Sequence, residues 1–142
     1  MSRKRMRARR LAVQALYQWQ CNEQAASEIE AQFVEREELA ASEADYFHTL
    51  LHGVITGCEA LDAALTPLLA RPLDQVDPVE RAVLRLAAFE LSHCLDVPYR
   101  VVIDQAVELA KTFGAEQGHR FVNGVIDRLA TELRASEVAA RR

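Results

Sequence analysis

Arg10, Gln14 and Tyr17 follow one another at steps of four and three residues, so in an α-helix they share one face. A guanidinium suits a phosphate, and a tyrosine ring offers a stacking surface to an unstacked base. The trio therefore has the chemistry to hold single-stranded RNA. Arg5, Arg7 and Arg9 flank it and extend the cationic side. The first 22 residues contain six Arg or Lys and no acid, in a 142-residue chain of net charge −4; the remainder carries 11 basic and 21 acidic residues. A positive element on an acidic body points to an anionic partner, nucleic acid first.

An anionic membrane surface is the competing partner. A membrane helix leaves its apolar face for lipid, whereas Ala8, Leu11, Ala12, Ala15, Leu16 and Trp19 form a face suited to a protein core. Met6 and Val13 fall with Arg10, Gln14 and Tyr17 on the outer side. No run approaches the roughly 18 apolar residues of a membrane span, and no apolar h-region follows the basic start. The expected location is the cytoplasm.

Other chemistries are poorly represented. The chain has no GxGxxG, GxxxxGK[ST] or GxSxG motif and no compact Ser/His/Asp or Cys/His grouping, so no enzyme and no cofactor are expected. His48 and His52 have chelating i, i+4 spacing, but the segment reads HTLLH rather than HExxH. No third ligand is evident, and no metal is expected. Cys21, Cys58 and Cys94 lie in apolar helical contexts and read as small buried hydrophobes. Asn123-Gly124 places a glycine inside a helix at a cost of about 1 kcal/mol relative to Ala, which suggests close approach of another helix or of a ligand. Arg81 and Arg85, one turn apart, need an acid or a partner to offset their repulsion.

The elements that position these residues are helices throughout, because period-3.6 patterns dominate and no alternating run argues for a strand. With half of its residues hydrophobic, the chain fits a single all-α domain of six to seven helices. The first helix spans about residues 5–21. The second spans 27–38, opened by a capping box at Ser27 and Glu30. A long third helix spans about 42–69, with Phe47, Leu50, Leu51, Val54, Ile55, Cys58, Leu61 and Leu65 inside. Arg71-Pro72 marks a hinge between helical subdomains at about 1–70 and 73–135. Asp77 as N-cap, Pro78 at the first position and Glu80 as capping acid open a helix to about Leu95. The next runs from Tyr99 to Phe113, burying Val102, Ile103, Ala106, Val107 and Ala110 and stopped by Gly114 as a C′ glycine. The last spans about 116–135 with Phe121 at the edge of its apolar stripe, and residues 136–142 are expected to fray.

Five ordered blocks, RMRARRLAVQALYQWQ, ADYFHTLLHGV, LDQVDPVERAVLRLAAFEL, DVPYRVVIDQAVELAKTFGA and HRFVNGVIDRLA, resemble the NusB family of transcription antitermination factors from about Arg5 to Ala130. The likeness is weaker over residues 22–42 and in the tail. It implies a two-subdomain helical fold that binds boxA RNA of nascent transcripts together with the ribosomal protein NusE. That complex would join RNA polymerase and promote read-through in ribosomal RNA operons. Carried over by position, the resemblance puts Arg5, Arg7, Arg9, Arg10 and Tyr17 on RNA and makes Phe121 a functional aromatic; Gln14, Gln117 and Arg120 are further RNA-binding candidates beside them. It links Glu80 to NusE binding, and Arg81, Tyr17 and Phe121 are further partner-binding candidates. Gln117-Gly118 departs from the acid-Ser pair common in the family, and the first helix is more basic than usual.

Two other readings are a helical protein-interaction module, such as a homodimer that hides the basic face, and the NusB-like domain of an RNA methyltransferase. The latter needs a following α/β domain, for which these residues show no pattern.

Overall fold

Residues 3–37 and 39–141 are described by a computed structural model. Eight α-helices and two short 3-10 turns account for the architecture, and no strand occurs among the described residues. The helices are α1 Arg3–Asn22, α2 Ala26–Glu37, α3 Ala41–Thr56, α4 Cys58–Leu65, α5 Pro78–His93, α6 Tyr99–Phe113, α7 Gly118–Leu133 and α8 Ala135–Ala140. None is long and apolar enough to cross a membrane.

The helix count exceeds the expectation because two long helices break. Gly57 ends α3, with its N–H bonded to Gly53 O, before α4 begins. Arg134 divides α7 from α8. The apolar stripe runs across the first break without interruption, so periodicity alone could not reveal it; Ile55 and Cys58, beside the break, are only half-buried. In α2 the helix starts at Ala26, which leaves Ser27 inside the first turn rather than at the cap. The expected end of that helix, Glu38, lies outside the described residues, as does Arg142.

Helix α5 is the central element. It packs against α1, α3, α4, α6 and α7, and ten of its residues are buried. Its start follows the sequence signal closely: Asp77 Oδ1 accepts from the N–H groups of Val79 at 2.9 Å and Glu80 at 3.2 Å, and Pro78 occupies the first turn. Helix α6 has the expected bounds, although Gly114 ends it in extended backbone (φ −87°, ψ 178°) rather than in the left-handed region. Leu109 and Gln105 are buried there, while Ile103 and Val107 are only half so.

Where fraying is expected after residue 135, Ala135–Ala140 form α8 and pack against α7. Arg134 is 6% exposed and Val138 4%. The Arg134 guanidinium donates to the carbonyls of Glu90, Leu91 and Cys94 at the C-terminus of α5, and to Val97 O. Glu137 then links it to the start of α6, accepting from Arg134 at 2.7 Å and from Tyr99 N–H at 2.8 Å. The cysteines differ from expectation as well: Cys94 is buried, Cys58 half-buried and Cys21 exposed, because Cys21 lies past the last residue of α1 that meets the core.

A candidate nucleic-acid interface on helix α1

Helix α1 buries Ala8, Leu11, Ala12, Ala15 and Leu16 and leaves Arg10, Gln14 and Tyr17 exposed, as its projection requires. Tyr17 is 42% exposed, one of three large side chains with an apolar body that face solvent among the described residues. Gln14 donates to Arg10 O at 3.3 Å, tying two members of the stripe along the helix. Among the described residues Arg10 has no acidic partner, so its charge is available to a ligand.

Two grooves flank this stripe and share Gln14. One, of about 540 Å³, runs along Arg3, Met6, Arg7 and Arg10. The other, of about 440 Å³, is bounded by Tyr17, Gln18, Phe33, Arg36, Val79 and Phe113. Val13 forms part of its floor and is only 1% exposed, which overturns its placement on the solvent side. Arg36, whose guanidinium carbon sits 4.4 Å from the Phe33 ring centroid, adds a cation on α2. Neither Arg36 nor Phe113 is visible as a site residue in the sequence, since both approach Tyr17 only through helix packing.

The flanking arginines are not equivalent. Arg9 is 1% exposed and belongs to the core. Its Nε lies 2.9 Å from Glu90 Oε1 and its second nitrogen 2.9 Å from Oε2, and Tyr46 OH donates to the same carboxylate. Arg9, expected on the RNA face, turns almost no surface to solvent in this arrangement. Desolvation opposes its charge, but Glu90's hydrogen bonds and charge outweigh that and hold the guanidinium more firmly protonated. Burial first, then the Glu90 charge, keeps the Tyr46 hydroxyl protonated well above the usual range. Arg5 reaches Asp96 at 3.1 Å and lies over the Tyr46 ring at 4.5 Å. Arg7 is half-exposed and bonded to Glu43 and to Glu37 O. These two keep some exposed surface, but their charge is partly answered within the protein.

A second cluster forms where α5 meets the start of α7. Glu80, expected as a capping acid and partner contact, is 5% exposed. Its carboxylate lies beneath Gly118, where an added Cβ would stand 2.5 Å from Oε2. A buried carboxylate in that position shapes the turn before α7 rather than meeting a partner directly. Gln117 adopts a left-handed conformation (φ 71°) to complete this turn. Gln117 and Arg120 are exposed, Phe121 is half-buried, and Arg71 lies 6.0 Å from the Phe121 ring centroid. Phe121 does not line the Tyr17 groove. The start of α5 connects the two regions: Val79 faces the groove, and the next residue, Glu80, supports Gly118.

Gly124 is exposed with open space above it, so internal packing does not explain it. Arg85 finds its compensation in Asp62 at 2.8 Å and Gln20 at 2.9 Å. Arg81 donates to the carbonyls of Leu73 and Asp74, holding the loop before α5. Neither arginine needs a partner protein to balance the other.

Burial, then the neighbouring Asp77 charge, pushes the Glu80 carboxyl above the usual 4.5; the Ala115 amide and Arg71 pull less strongly the other way. An acid with a raised pKa in the fold disfavours folding as pH rises through that range. Glu80→Gln is therefore expected to hold or raise Tm at pH 7, with the difference narrowing below pH 4.5. Gly118→Ala is expected to lower Tm, because its methyl would stand 2.5 Å from Glu80 Oε2 and force the buried carboxylate to shift. Thermal melts of both variants at the two pH values check this.

A model of the NusB family matches residues 6–131. The chain belongs to the NusB family. It is 52% identical to the transcription antitermination protein NusB of Alcanivorax borkumensis over 97% of this chain and 92% of that protein. NusB of T. maritima superposes with a TM-score of 0.82 at 31% identity, covering 93% of this chain and 94% of that one. A crystal structure of the antitermination factors NusB and NusE with double-stranded RNA gives a TM-score of 0.84 at 29% identity, over 93% and 99% of the two chains. The chain is accordingly a transcription antitermination factor of the NusB family and not an enzyme.

Proposed function

We propose that this NusB-family chain binds boxA RNA together with NusE, joins the RNA polymerase antitermination complex in the cytoplasm, and promotes read-through in ribosomal RNA operons. The observation that carries this reading is the exposed Arg10–Gln14–Tyr17 stripe between two grooves, with an uncompensated cation at one end and an open ring at the other. The likeness to a NusB–NusE–RNA structure supports it. Gln117, Arg120 and Phe121 supply a second contact region, for RNA or for NusE.

The test is retention of a boxA RNA by the full chain, with and without NusE, across a salt series. Affinity is expected to fall with salt, and Arg10→Ala to flatten the slope by about 0.7 for each single-strand phosphate that Arg10 neutralises. Arg7→Ala should flatten it less, since Arg7 already answers Glu43. Tyr17→Ala should cost about 1–3 kcal/mol if the ring stacks on a base. Failure to retain RNA even with NusE overturns the reading; self-association that covers the basic face would then favour the homodimer.

A further inference from the structure

We propose that Glu30, His48 and His52 form a binding site for a divalent transition-metal ion, with zinc the best match, that clamps α2 to α3. The site is separate from the basic stripe. His48 and His52 lie one turn apart on α3, and their rings stack with centroids 4.2 Å apart. Both turn a ring nitrogen onto one carboxylate from α2: His48 Nδ1 lies 2.6 Å from Glu30 Oε2, and His52 Nε2 lies 2.8 Å from Oε1. All three donor groups fall within 4.8 Å of one another.

The donor set selects the ligand class. Two imidazoles exclude the hard oxygen-seeking cations, whereas two nitrogens and a carboxylate suit zinc and its first-row neighbours. A tetrahedral zinc ion with bonds of about 2.0–2.1 Å holds its donors about 3.3 Å apart. The three groups already converge, so a small outward rotation of side chains admits the ion, and the open side leaves a fourth position for water. Core packing does not dictate this convergence, because the His48 side chain is 57% exposed. The third donor is invisible in the sequence: it stands 18 residues before His48 and becomes a neighbour only when α2 folds against α3.

Occupancy would have a consequence at the interface. Phe33 and Arg36 lie one and nearly two turns beyond Glu30 on α2, and both line the Tyr17 groove. A metal clamp at Glu30 would fix the helix that carries them.

The experiment titrates Zn²⁺ into metal-stripped full-length protein by calorimetry, with the melting temperature read in parallel. One ion per chain at this site and a higher Tm with zinc are expected. His48→Ala/His52→Ala is expected to weaken binding at least about 100-fold, the upper end of what losing only an outer-shell partner costs. Glu30→Gln keeps the side chain's size and one acceptor oxygen, puts an NH2 donor in place of the other, removes the charge, and should also weaken zinc. Circular dichroism of the metal-free variants should match the parent, since these side chains lie outside the core. Equal zinc uptake by the parent and the double-His variant, or none by the parent, overturns the proposal. Normal zinc affinity in Glu30→Gln would remove Glu30 from the site and overturn it as stated.

Discussion

Arg9→Ala is expected to destabilise the fold by about 3–5 kcal/mol, the cost of leaving one member of a buried ion pair without its partner. Glu90 would remain 2% exposed with its carboxylate facing Tyr46 and an empty space. The carboxylate then has to protonate or draw in water, and the cavity left by the arginine stem adds to the loss. Arg10→Ala, one residue along, should leave stability within about 0.5 kcal/mol of the parent because it touches nothing buried. The contrast separates folding from binding: Arg10 should change the salt dependence of RNA retention, and Arg9 the fraction of folded protein. Denaturant melts of the two variants check the first half. Replacing Arg9 and Glu90 together by methionine should recover much of the loss, since exchanging a whole buried pair for apolar groups is often close to neutral. A double variant as unstable as Arg9→Ala alone would mean that the damage is steric rather than electrostatic.

Arg9 also shows where local sequence stops being informative. A helical projection places it beside Arg10 as one of a cationic set, and the family resemblance reinforces that. Its partner is 81 residues away on α5, a pairing that no helical period encodes. Bounds are legible where a residue acts on its own backbone: Asp77 and Pro78 at the start of α5, Pro98 before α6. They are lost at Gly57, where a continuous apolar stripe hides a change of helix. The exposed stripe is legible because the opposite face of α1 is unmistakably apolar. The groove beside it is not, because Phe33, Arg36, Val79 and Phe113 arrive from three other helices. Glu80 enters as a partner contact through the resemblance alone. Its depth under Gly118 recasts it as a residue that shapes the turn before α7, so an effect of its substitution on partner binding would pass through Gln117 and Phe121.

Arg134→Ala is expected to cost about 3–5 kcal/mol, comparable to Arg9 but through a different mechanism. The last carbonyls of a helix lack the next turn's N–H donors; here the guanidinium is the donor to Leu91 O and Val97 O, and it adds a second donor to Glu90 O and Cys94 O, which also accept from the N–H groups of Cys94 and Val97. Removing it leaves Leu91 O and Val97 O unmet, each costing about 1–3 kcal/mol before the chain relaxes or water enters, and takes the second donor from Glu90 O and Cys94 O. A positive charge at a helix C-terminus is also favourable in its own right. Arg134→Lys should recover only part of the loss, because one ammonium lacks the planar fork that reaches carbonyls on both sides. The same network predicts an acid response. The Tyr99 N–H first, and Arg134 after it, hold the Glu137 carboxyl below the usual 4.5 against its desolvation. A lowered pKa stabilises the fold above the unfolded value and ceases to do so as pH falls through the folded one. Parent protein should therefore lose stability below pH 4.5 more steeply than Glu137→Gln, whose amide oxygen still accepts from Tyr99 without titrating. Parallel acid slopes for the two would show that Glu137 does not couple the end of the chain to α6.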